Sequence, residues 1–122
     1  MASILSLGTR MFRTRNPARD AGTDMDRFMT VRRSIGAALE SATRERQGLQ
    51  QWVDVYYAQA TSLLDNSAEF GLRSDRDEDA IQDAESNAAT ATRRIKQISE
   101  HIEQLNAMLS TVDDALNDGE RA

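Results

Sequence analysis

Between Ile81 and Leu116 the chain repeats at alternating steps of three and four residues. Ile81, Ala84, Ala88, Ala91, Ile95, Ile98, Ile102, Leu105, Leu109, Val112 and Leu116 are all apolar. In a sequence that is 39% hydrophobic, a fixed frame does this by chance about three times in 100,000. The period is that of a helix with one narrow apolar seam, the signature of coiled-coil packing. Upstream, a column at steps of seven is again apolar throughout: Phe28, Ile35, Ala42, Leu49, Tyr56, Leu63 and Phe70. Its companion column, Met25, Arg32, Leu39, Arg46, Val53, Ala60 and Ser67, is mixed and places two arginines inside the seam. The spacing therefore predicts two heptad helices, one over about 24–70 and one over about 76–117.

The signals at the helix ends support that division. Thr23 is a candidate N-cap, and Asp24 and Asp26 suit the positive end of a helix dipole. Gly71 fits the left-handed position just past a helix C-terminus. Ser74 or Asp75 is placed to cap the second helix, and Asp75 with Glu78 has the spacing of a capping box. Gly36 and Gly48 weaken the first helix by about 1 kcal/mol each relative to Ala. The tail from Asp118 reads as frayed. A turn of only a few residues, about 71–75, forces the two helices antiparallel. With the turn centred near Arg73, facing residues have numbers summing to about 146, within a helical turn. That register sets Tyr56 opposite Ala91, Leu63 opposite Ala84 and Ala42 opposite Leu105, large against small throughout. It also gives each seam arginine a carboxylate, Arg46 with Glu100 and Arg32 with Asp114.

The expected fold is an all-α antiparallel two-helix coiled-coil hairpin over 24–118, preceded by a basic arm over 1–23. The arm carries Arg10, Arg13, Arg15 and Arg19 with no acid before Asp20, and Phe12 among its scattered apolar residues. Gly8, Pro17 and Gly22 interrupt any long helix there. It reads as a flexible or partner-docked segment, and an anionic membrane surface is an alternative site for it. Outside the seam, Met29, Val31, Trp52, Tyr57 and Leu64 give the first helix more apolar surface than one partner helix can cover. A lone two-helix hairpin is marginal in water, so this spare surface points to a homo-oligomer or a place in a multi-protein complex.

The chemistry-bearing residues are few. The chain has no cysteine and a single histidine, His101, which leaves no ligand set for zinc within one chain. Asp75, Asp77, Asp79 and Asp83 imitate the start of a calcium-binding loop. Ala80 then replaces the required glycine and Ser86 the required glutamate. No phosphate-binding glycine loop and no nucleophile with a base is present, so neither enzyme activity nor a cofactor is expected. The net charge of −5 argues against nucleic acid as a partner. No apolar run is long enough for a membrane span, and no secretory signal is evident. The outline invites comparison with small secreted helical hairpins that carry Trp-x-Gly in the turn. Type III needle subunits, whose turn contains proline, offer another comparison. Here the turn is Gly71-Leu72-Arg73, and neither motif is present. Fourteen of the fifteen basic residues are arginine, a usage that points to a GC-rich bacterium or one of its phages. A bacterial cytoplasm or a phage particle is the expected setting. The expected role is a structural or adaptor subunit. A partner-binding module, such as an export chaperone or regulatory antagonist, is the alternative.

Overall fold

The computed structural model describes residues 16–70 and 74–121. The arm residues Arg10, Phe12, Arg13 and Arg15, and the turn residues 71–73, lie outside the described residues. Two α-helices pack against each other as a helical hairpin: α1, Pro17–Phe70, and α2, Asp75–Arg121.

The helix α1 starts earlier than the Thr23–Asp24 signal suggests. Asn16 is its N-cap, and its Oδ1 accepts from Ala18 N at 2.9 Å. Pro17 follows at the first helical position, where its missing N–H costs nothing and its fixed φ is already helical. Arg19 therefore belongs to the first turn of α1, fully in the helix. Thr23 lies inside the helix, and its hydroxyl donates to Arg19 O at 3.0 Å, a back-bond of the helical interior. At the start of α2 the cap is Ser74, whose Oγ accepts from Asp77 N at 3.0 Å. Asp75, Asp77 and Glu78 then sit in the first turn, against the exposed N–H groups of the helix end. Asp75, Asp77, Asp79 and Asp83 are thus all helical, and the loop that calcium coordination would require is absent there. The helix continues past the expected end near Asn117 to Arg121.

All eleven seam positions of α2 are buried or half-buried. The α1 column is half-buried at Ile35, Ala42, Leu49, Tyr56 and Leu63, with Phe28 more open. The packing divides into two compact units.

One unit comprises Ala38–Asn106. Ala60, Ile81 and Ala84 form its buried cluster, with Tyr56 and Leu63 packed against them. Val53, Ala88, Ala91 and Ile98 are also buried, and Ala88 has no exposed surface at all. Side chains from Val53 to Leu63 thus meet an alanine layer on α2, large against small. Among the described residues, Ile98 is the one large side chain that is completely enclosed.

The other unit joins α1 up to Ala37 with α2 from Ala107. Among its described residues Leu116 is buried, and Met25, Ile35, Leu109 and Val112 are half-buried. At the end of α2, a Cβ built on Gly119 would touch Met25 Cγ at 3.7 Å, an ordinary packing distance. Met25 thus lies beside the last turn of α2.

Two expectations follow for stability, read by thermal or urea unfolding. Ile98→Ala should cost about 2–4 kcal/mol, because it removes the one large enclosed side chain among the described residues and leaves a gap in the seam. Gly36→Ala should stabilise by about 0.5–1 kcal/mol, since nothing lies within 4 Å of the added Cβ and the helix gains from the smaller unfolded-state entropy.

Candidate interaction surface

Heptad letters make the surface of the hairpin easy to read. With the seam taken as a and d, α1 carries a at Met25, Arg32, Leu39, Arg46, Val53 and Ala60, and α2 carries a at Ile81, Ala88, Ile95, Ile102, Leu109 and Leu116. Positions e and g then flank the seam, while b, c and f lie further out.

The two seam arginines reach polar groups on α2, each one residue short of the expected partner. Arg32 Nε meets Asp113 Oδ1 at 2.8 Å, not Asp114. Arg46 Nη1 donates to Ser99 Oγ at 3.4 Å, and no ion pair forms between Arg46 and Glu100. The reason is geometric. Ser99 and Asp113 are e positions beside the seam and are half-buried. Glu100 and Asp114 are f positions, turned away from α1 and exposed. One residue along a helix is a 100° rotation, so a register correct to one residue still selects the wrong side chain.

A two-pronged polar link between the helices joins two g positions. Arg94 Nε and Nη2 donate to Glu45 Oε2 and Oε1, both at 3.2 Å, as a two-pronged guanidinium–carboxylate pair. Antiparallel heptads place g against g, and Glu45 and Arg94 each sit one residue before a seam position. That rule identifies the pair from sequence. Arg93 instead stays local, donating to Thr90 Oγ1 at 3.1 Å.

The spare apolar surface does not form one face. In the 38–106 unit, Trp52 occupies g and Val55 the adjacent c. Tyr57 and Leu64 occupy e, on the opposite flank of the seam. Trp52 is 57% exposed, Tyr57 55% and Val55 44%, and Leu64 is also open. In the other unit, Val31 at g is exposed, as is Met108 at g of α2, while Met29 at e is half-buried. Sequence reasoning did not single out Val55 and Met108, because both lie off the a and d columns of the seam.

Trp52 stacks on Tyr56 with ring centroids 5.8 Å apart and planes at 25°. Together with Leu49, Asn87, Thr90, Ala91 and Arg94 they border a shallow depression of about 320 Å³. Further along the same flank lies a larger open groove of about 670 Å³, lined by Val55, Ala58, Gln59, Ser62, Leu63 and Ala80. Its described walls are mostly carbon, and among the described residues they bring no titratable group together with a nucleophile. Among the described residues, no three His, Cys, Asp or Glu side chains cluster as metal ligands, and His101 is exposed on α2. No helix among the described residues is long and apolar enough to cross a membrane. No protein-family model, curated protein or solved structure matches the chain.

The Glu45–Arg94 pair is about half exposed on both sides, so its contribution is small. A double-mutant cycle with Glu45→Ala and Arg94→Ala should return a coupling of about 0.5 kcal/mol, most of it lost in about 1 M salt.

Proposed function

We propose that this chain is a non-enzymatic structural or adaptor subunit of a larger protein assembly, and that it acts through helix packing. The observation that supports this most is where the large side chains lie. Among the described residues, four of the eight buried apolar side chains are alanine: Ala60, Ala84, Ala88 and Ala91. Trp52, Tyr57, Val55 and Leu64 remain on the outside of the same segment. Aromatic anchors set in a polar surround are typical of protein interfaces, where a few such residues carry most of the binding free energy. The apolar grooves beside them suit side chains of a packed neighbour better than a polar small molecule. Arginine-dominated usage of basic residues fits a bacterial or phage assembly, such as a virion or a secretion or envelope machine.

Unfolding followed at protein concentrations about 100-fold apart tests this reading, alongside light scattering and dye binding to exposed apolar surface. The expected result is either a melting temperature that rises with concentration, or a monomer that binds dye and melts without cooperativity for want of its partner. Trp52→Asp with Tyr57→Asp should abolish the concentration dependence or the dye binding. A monomer at every concentration would overturn the proposal if it unfolds cooperatively, binds no dye and is indifferent to both substitutions.

A further inference from the structure

The flank of α1 that carries Trp52 has a property that an interface with an unrelated protein would not require. Positions c and g over three heptads read Glu45, Gly48, Trp52, Val55, Gln59, Ser62 and Asn66. Reversed about Val55, this stripe is complementary to itself. Gly48 faces Ser62, small against small. Trp52 faces Gln59, in the middle of the 670 Å³ groove lined by Val55, Ala58, Gln59, Ser62, Leu63 and Ala80. Val55 faces Val55. On the outer rim, at position f, Arg44 comes opposite Asp65 and Gln51 opposite Ala58, so the one charged pair that the reversal creates there is of opposite sign.

Among the described residues nothing fills the groove or covers the knob, and both belong to the same helix. Trp52 is more than half exposed, and the groove is centred one heptad further on, about 10 Å along α1. A continuous helix holds the two apart, so the chain cannot seat its own Trp52 in its own groove. A second copy related by a two-fold axis can do so, twice over. Gly48 adds room at the edge of the same stripe, because nothing lies within 4 Å of where its Cβ would be.

We propose that two copies of this chain pair antiparallel along the 45–66 stripe of α1. The two-fold axis passes by Val55, each Trp52 fills the other copy's groove, and Arg44 pairs with the second copy's Asp65. Such an interface is isologous and closes on itself as a dimer, joining two hairpins into four packed helices. The inference rests on the assembly reading above and names the partner for this face. Glu45 is compatible with it, since its carboxylate is already held by Arg94 and meets only Asn66 across the axis.

The full-length chain supplies its own probes. It has no cysteine, so Val55→Cys introduces a single thiol on the axis, and it has one tryptophan, so emission reports Trp52 alone. Under mild oxidation Val55→Cys should form a disulfide-linked dimer at least about tenfold faster than Lys96→Cys, a control on the outer side of α2. Trp52 emission should shift to the blue as concentration rises through the dimer transition. Arg44→Asp should weaken the dimer roughly tenfold by setting one carboxylate against another, that of Asp65, at two symmetric places, and adding Asp65→Arg should restore it. Circular dichroism checks that each variant keeps its helices. A chain that stays monomeric with unshifted Trp52 emission overturns the pairing. An oligomer in which Val55→Cys crosslinks no faster than Lys96→Cys also overturns it, while leaving the assembly reading intact. A cooperative, dye-free monomer indifferent to Trp52→Asp overturns both.

Discussion

Ala84, Ala88 and Ala91 set how close α1 can come to α2 around the middle of the 38–106 unit. A methyl group at each of these positions lets the helix backbones approach and gives Val53, Tyr56 and Leu63 a surface to lie on. Ile81 and Ile98, on either side of this layer, are buried with it. Larger side chains in the alanine layer would push the helices apart and open the flanks to water.

Close approach has a cost elsewhere. Alanine buries little area, so a layer rich in it supplies only a fraction of the hydrophobic stabilisation that a leucine layer would. The polar links do not make up the difference. Glu45–Arg94 and Arg32–Asp113 are both half exposed and fix alignment more than they add stability. The hairpin also leaves apolar surface exposed outside its own seam. That surface lies on two flanks, Trp52 with Val55 on one and Tyr57 with Leu64 on the other. The two flanks are separated by the seam, so no single flat face carries all of this surface.

The seam was legible in the sequence because a period accumulates: eleven successive matches leave little room for another fold, and every one of them is buried or half-buried. Local events were less legible. The start of α1 is decided by a single pair, Asn16 and Pro17, and Pro17 reads as a helix breaker unless its place at the first helical position is recognised. Charge pairing failed by one residue for a different reason. Numbers that sum correctly locate the level along the hairpin, whereas the side of the helix is set by heptad position, and Glu100 and Asp114 lie on the wrong side. The spare surface was legible residue by residue, through Trp52, Tyr57 and Leu64, but its division into two flanks needed the same positional reading.

The spacing of the contacts also bears on how the chain comes together. Ala60 and Ile81 meet across about twenty residues, whereas Arg32 and Asp113 close a loop of 81. Loop-closure entropy rises with the logarithm of length, so pairing begins beside the turn and spreads outward, each heptad shortening the search for the next. During synthesis, however, all of α1 emerges before any of α2 exists to cover it. Its apolar column, with Trp52 and Tyr56 at the centre, is then open along its whole length. On a message carrying several ribosomes, neighbouring nascent chains present this same stripe to one another. Until Ala84 to Ala91 have emerged, that stripe has no cover from its own chain.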